Sequence, residues 1–105
     1  MKIKVPSKIK ILSHTYKVRF GMKDLVAAGA MGLTRHLHQE IILDGVNIPP
    51  TELNQTFLHE LMHVVERHFC LKLGDDDIDR ISEGLATVLF DNFGIELDWS
   101  AIKEE

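Results

Sequence analysis

The chain has 105 residues, of which 45% are hydrophobic and 27% charged, as expected for one globular domain spanning residues 1–105. The net charge of −4 argues against a nucleic-acid-binding surface, and no apolar run approaches the roughly 18 residues of a membrane span. We therefore expect the chain to bind neither nucleic acid nor a membrane. The single cysteine excludes a cage of paired thiolates around zinc and, with no recognisable targeting segment, favours the cytoplasm.

Short strands are predicted for the N-terminal half of the chain. Hydrophobic residues alternate with charged ones over residues 8–12 and 15–20, which predicts two strands joined as a hairpin. Residues 22–31 are ambiguous, because their leucine, valine and alanine favour a short helix whereas their glycine favours a loop. Residues 33–37 and 39–43 are predicted to form a second hairpin.

Residues 51–69 are predicted to form one long helix, which begins after two prolines. Hydrophobic residues at helical spacing predict its buried face: Leu58, Leu61, Met62, Val65 and Phe69. His59, Glu60 and His63 stand beside this face. Because four residues turn a helix by about 400°, both histidine rings project from one face and can bind a single metal ion. Glu60 is about 100° from His59, close enough to contact a water on that ion.

This spacing is the one that metal-dependent peptidases use on a helix. A catalytic zinc needs a third protein ligand and one open position. Glu66 shares the histidine face, but seven residues of helix span about 10 Å, too far for a common ion. His68 points elsewhere, and the chain has Glu66 and Phe69 where a metzincin needs glycine and histidine.

A second helix is predicted between Asp75, which can cap its first turn, and Gly94, which can end it. Glu83 on this helix comes twenty residues after His63, enough for the chain to turn and return antiparallel. Its neighbours are small and predict that another helix approaches closely: Ser82, Gly84 and Ala86. Glu83 is therefore a candidate third ligand, and the alternative is a solvated glutamate on an exposed face.

The pattern His59-Glu60-x-x-His63, with Glu83 on a second helix, resembles the gluzincin family of zinc peptidases. At this length the chain is similar to minimal forms, the minigluzincins and the small ImmA/IrrE-type peptidases of phages and prophages. The resemblance covers residues 39–90. It implies an α+β, zincin-like fold, in which a small twisted sheet of three to five strands packs on the histidine helix and a second, glutamate-bearing helix. It also implies one Zn²⁺ per chain bound by His59, His63 and Glu83, with Glu60 as general base.

The resemblance leaves several features of the cleft open. In the family, an edge strand before the metal helix pairs antiparallel with substrate, and residues 39–43 stand there, either as that edge or as an internal strand. Family members usually orient a ligating histidine with an aspartate four residues after the third ligand, where this chain has Thr87. Candidates for a residue that stabilises the transition state are Tyr16, His36 and His38.

These residues predict a zinc-dependent metallopeptidase that hydrolyses a peptide or protein substrate through a zinc-bound water, with Glu60 as general base. One alternative is a non-catalytic regulatory or adaptor protein that binds metal on the same fold, and another is a structural domain with unmetallated histidines. The tail, residues 95–105, carries the only tryptophan. It is expected either to dock on the body or to lie across the cleft, where it or a neighbouring chain would inhibit the protein.

Overall fold

The computed structural model describes all 105 residues and confirms an α+β fold. The elements in chain order are β1 (Lys2–Lys4), β2 (Lys8–Ile11), β3 (His14–Phe20), α1 (Met22–Ala28), β4 (Gly32–Arg35), β5 (Glu40–Leu43), α2 (Pro50–His68), α3 (Asp75–Ala86), a π-helical continuation of α3 (Thr87–Asn92), and β6 (Glu96–Asp98). None of the helices has both the length and the apolar character that crossing a membrane requires.

Four strands form the main sheet in the order β2-β3-β5-β4. Both predicted hairpins are present, since β2 pairs antiparallel with β3 and β4 pairs antiparallel with β5, while β3 and β5 are parallel neighbours. Of the two positions left open for residues 39–43, the structure shows the internal one, and β4 is the edge strand. The reason is visible in β5 itself, where Ile41, Ile42 and Leu43 are all 0% exposed, as in a strand covered on both faces.

Helix α2 packs on the sheet through a different face from the predicted one. Its buried apolar residues are Leu53, Phe57 and Val64, whereas Phe69 of the predicted face is 52% exposed. The helix carries two apolar stripes about a third of a turn apart, one with Leu58 and Val65 and the other with Phe57 and Val64. The sheet covers the second stripe, whereas sequence periodicity predicted the first. A consequence is that Glu60, only 6% exposed, lies on the buried side of the helix.

Helix α3 is attached more loosely than α2. Only Ile78 and Ser82 are buried along its twelve residues. The expectation of a close helix approach is wrong at Gly84, where an added Cβ would meet nothing within 4 Å. The chain leaves the π-helical segment at Gly94, whose φ of +68° is the left-handed conformation that glycine adopts without strain.

The C-terminal tail docks on the body, the first of its two expected positions. β6 pairs in parallel with β1, and Ile102 is 6% exposed within the core. The ring of Trp99 packs edge-to-face on Phe57 at a centroid distance of 5.1 Å, and its Nε1 donates to Asn54 Oδ1 at 2.9 Å. The tail is therefore part of the core rather than an appendage to it.

Candidate metal centre

The two histidines of the motif converge on a common point. One turn of α2 separates His59 and His63, and their Nε2 atoms lie 3.2 Å apart, with each side chain 25% exposed. Two nitrogens bound to a tetrahedral zinc at about 2.0–2.1 Å lie about 3.3 Å from each other. The pair therefore fits two ligand positions of one zinc ion, and without a metal the same contact is a hydrogen bond between the rings, in which one Nε2 carries the proton that a metal ion would replace.

Carboxylates stand behind both histidine rings. Asp79 of α3 has its Oδ1 2.7 Å from His59 Nδ1, on the side of the ring that faces away from His63. Glu66 Oε1 lies 3.7 Å from His63 Nδ1, beyond hydrogen-bond distance, and its Oε2 accepts the backbone N–H of Leu73 at 2.7 Å. A carboxylate at Nδ1 holds the proton there and leaves Nε2 free to bind a metal.

Glu60 is held by the edge strand of the sheet. Thr34 Oγ1 donates to its Oε1 at 2.7 Å, while Oε2 lies 3.9 Å from His59 Nε2. Gly32 makes this approach of β4 to α2 feasible, because a Cβ there would come within 2.5 Å of Thr56 Cγ2 and 3.2 Å of Glu60 Oε2. One carboxylate oxygen is thus fixed and the other is turned toward the histidine pair, as a general base requires.

Glu83 lies outside this cluster. Its side chain is exposed and lines a neighbouring pocket with Thr51, Ala86 and Phe90, one turn along α3 from Asp79. No group of three or more histidine, cysteine, aspartate or glutamate side chains converges well enough to hold a metal ion. The structure therefore brings His59, Glu60 and His63 together, adds Asp79, and places Glu83 in a different pocket.

Two adjoining pockets lie between β4 and the two helices, and His59 lines both of them while His63 lines one. Apart from the histidines, the charged residues that line them are all acidic: Glu52, Glu60, Asp75 and Asp79. No lysine or arginine and no residue of the tail lines either pocket. The cleft is therefore open and favours positively charged groups.

Sequence reasoning identified the motif but missed its supports on β4. Gly32 and Thr34 alternate along the strand, and alternate residues of a strand share one face. That alternation was a usable signal, but it becomes informative only once β4 is known to be the edge beside α2. Asp79 lies outside the sequence motif, and its contact with His59 appears only in the folded structure.

No protein family, curated protein or solved structure matches this chain. Three features of side-chain geometry support a metal centre. They are the Nε2 separation of His59 and His63, the carboxylate of Asp79 at His59 Nδ1, and the orientation of Glu60.

Proposed function

We propose that this chain is a zinc-dependent metallopeptidase with a zincin-like fold. The observation that carries the proposal is the 3.2 Å separation of the His59 and His63 Nε2 atoms, with Glu60 Oε2 3.9 Å from the first of them. His59 and His63 would hold one Zn²⁺, and Glu83 is retained from the sequence as the third ligand, since Asp79 is engaged at His59 Nδ1. The lone exposed thiol of Cys70 favours a reducing, cytoplasmic setting.

The chain's own residues supply the proton transfer that amide hydrolysis needs. A bound zinc would polarise the scissile carbonyl and lower the pKa of a water molecule. Glu60 accepts a proton from the attacking water through Oε2 while Thr34 holds Oε1. The water oxygen bonds to the carbonyl carbon, and the same proton passes to the amine nitrogen as the C–N bond breaks, giving an acid and an amine. Asp79 keeps the ring of His59 oriented throughout.

The edge strand and the acidic lining support a peptide substrate. β4 has a neighbour on one side only, so its other side offers free backbone groups to an extended peptide. The carboxylates of Glu52, Asp75 and Asp79 line the adjoining pockets. We expect peptides with lysine or arginine near the cleaved bond to be preferred, and this preference to weaken as salt concentration rises.

The test compares zinc content and peptide hydrolysis in the wild type and in Glu60→Gln. The expected result is about one zinc per chain in both proteins, with hydrolysis of a basic peptide library lowered about 10²- to 10⁴-fold in the variant. Glu96→Gln, an exposed change on β6, is the matched control and should hydrolyse as the wild type does. Equal hydrolysis in Glu60→Gln would contradict the role of the base.

A second candidate function is a regulatory or adaptor protein that binds metal without catalysis. The observation that favours it is that no lysine, arginine or tyrosine lines the two pockets beside His59 and His63, so the usual cationic and phenolic groups that stabilise a transition state are not there. Zinc bound stoichiometrically by a wild-type protein that cleaves no peptide in the library would establish this alternative. Protein that takes up no zinc would exclude both functions.

A further inference from the structure

A second cluster of histidines lies beside the metal centre, on the sheet side of α2. Tyr16 is 0% exposed, and its hydroxyl lies 3.0 Å from His36 Nδ1 and 2.8 Å from His68 Nε2. Both rings stand nearly perpendicular to the tyrosine, and His68 also stacks on His14 at a centroid distance of 4.3 Å. A hydroxyl has one proton, so Tyr16 donates to one imidazole and accepts from the other.

His36 connects this cluster to the candidate metal centre. It lines the same pocket as His59, Glu60 and His63. Because Tyr16 occupies its Nδ1, the ring nitrogen left for a ligand in that pocket is Nε2. Burial, followed by the positive charge of Arg67, lowers the pKa of His36, which keeps its imidazole neutral at neutral pH.

The hydroxyl that holds His36 keeps its own proton. Burial raises the pKa of Tyr16. Burial and the neighbouring His14 and Arg67 lower the pKa of His68, which is therefore neutral as well. Two arrangements of protons satisfy all three groups, and they run in opposite directions. In one, His68 Nε2–H donates to the Tyr16 oxygen, the Tyr16 hydroxyl donates to His36 Nδ1, and His36 retains its proton at Nε2, where it faces the pocket as a donor; in the other, His36 is protonated at Nδ1 and its Nε2 is bare.

We propose that His36 is a catalytic residue of the hydrolysis proposed above, on which this inference rests. Its Nε2–H donates a hydrogen bond to the oxygen of the scissile carbonyl as that oxygen gains negative charge. Tyr16 and His68 are positioning residues that fix the tautomer and the orientation of the ring. A preorganised donor of this kind stabilises the transition state more than the ground state, so its loss lowers kcat rather than raising KM.

The neighbouring histidine of the same turn provides the contrast. His38 lies two residues from His36, is exposed and lines neither of the pockets beside the histidine pair. A purely structural role for His36 would predict lower stability in its variants without a selective change in kcat. A catalytic role predicts a selective change in kcat that a donor of similar reach partly restores.

The kinetic test uses the full chain with zinc bound and a cleaved basic peptide. We expect His36→Ala to lower kcat about 10²-fold or more, the usual effect of removing one such donor, with KM within about twofold and zinc content unchanged. His36→Gln, whose side-chain amide also donates, should recover part of the loss. Tyr16→Phe should lower kcat less than His36→Ala, and His38→Ala should match the wild type. Unchanged kcat in His36→Ala would overturn the proposal while leaving the proposed function in place.

A second measurement does not depend on turnover. ¹⁵N NMR of histidine-labelled protein should show His36 protonated at Nε2 and bare at Nδ1, with this preference weakened in Tyr16→Phe. A proton at Nδ1 would place a lone pair in the pocket and overturn the proposal. Zinc-loaded wild type that cleaves no peptide would overturn the proposed function, and the catalytic role of His36 with it.

Discussion

The two sides of α2 differ in how deeply their polar side chains are buried and how well they are hydrogen-bonded. Toward the sheet, Glu60 is 6% exposed and bonded to Thr34, and the hydroxyl of Tyr16 holds two histidines. Toward α3, the contact with the histidine pair is Asp79, whose side chain is 56% exposed. Glu83 is exposed on the same helix.

This difference separates the groups proposed to move protons from those proposed to complete a metal site. The proposed acid–base groups are fixed by packing and hydrogen bonds to strands, which is how precise geometry is maintained without a ligand. The α3 carboxylates sit on a helix with two buried residues, Ile78 and Ser82. We infer that the sheet side is preorganised and that a metal ion would order the α3 side on binding.

The first prediction concerns two carboxylates of α3, Asp79 and Glu83, which are removed one at a time. Asp79→Asn should weaken zinc binding about 10- to 100-fold, the usual effect of losing a carboxylate behind a ligating histidine. Glu83→Gln should weaken it more, because a ligand is lost outright. Competition titration with a chromogenic chelator measures both, and Glu66→Gln should have the smallest effect of the three.

The opposite ranking would identify Asp79 as the ligand. Its contact with His59 Nδ1 would then be a feature of the metal-free state, and the ring would turn on binding. If all three variants bound zinc as tightly as the wild type does, the zinc site would not use α3.

The second prediction concerns the order that zinc brings to α3. We expect zinc to bind only the state in which α3 is folded against α2. At a free zinc concentration of about 100 times Kd, amide exchange in α3 should then slow about 100-fold, equivalent to about 2.7 kcal/mol. Exchange that occurs by local opening of α1 should not change, because Met22–Ala28 contributes no residue to the site. Hydrogen exchange followed by mass spectrometry measures both segments. Equal protection in α1 and α3 would contradict a local effect.

Two glycines provide the third comparison, one on each side of α2. Gly32→Ala places a methyl group 2.5 Å from Thr56 Cγ2 and should cost about 1–3 kcal/mol of stability together with hydrolytic activity, since it displaces Glu60. Gly84→Ala meets open space on α3 and should stabilise the fold by about 0.5–1 kcal/mol. Thermal unfolding measures both. Destabilisation by Gly84→Ala would show that α3 packs more closely than its exposed face indicates.

The same contrast explains which elements the sequence could predict. The two hairpins, α2 and α3 carry local signals, alternation in the strands and helical spacing in the helices, and all four are present. The buried face of α2 was predicted wrongly because Leu58 and Val65 form an apolar stripe as regular as that of Phe57 and Val64. Choosing between the two stripes requires knowing which one the sheet covers, and that depends on tertiary packing.

The site divides in the same way. His59, Glu60 and His63 could be predicted because their geometry is set within one helix turn. Thr34 could not, because its contact with Glu60 depends on β4 lying beside α2. The position of Glu83 depends on how α3 is rotated against α2, which sequence periodicity does not determine.

The last comparison is between an ion pair on the sheet side of α2 and one on α3. Arg19, 8% exposed on β3, donates from Nε to Glu40 and from Nη2 to Asp24, each at 2.8 Å. On α3, Arg80 lies 3.8 Å from Asp77, and both side chains are more than half exposed. Exposed pairs of the second kind contribute little to stability, whereas removing one partner of a buried pair is destabilising.

The pH dependence of the free energy of unfolding should show whether the ion pairs of Arg19 or that of Arg80 stabilise the fold. The hydrogen bonds from Arg19 lower the pKa of both Glu40 and Asp24 below their ordinary values near 4. Their stabilisation is therefore fully present above pH of about 4 and lost as the pH falls through the lowered folded-state pKa values. Arg19→Met should destabilise the protein at pH 7 and progressively less toward pH 2, whereas Arg80→Met should have little effect at either pH. Urea unfolding across this range measures both, and a pH-independent loss in Arg19→Met would mean that its hydrogen bond to the Glu105 backbone oxygen, rather than its ion pairs, stabilises the sheet side.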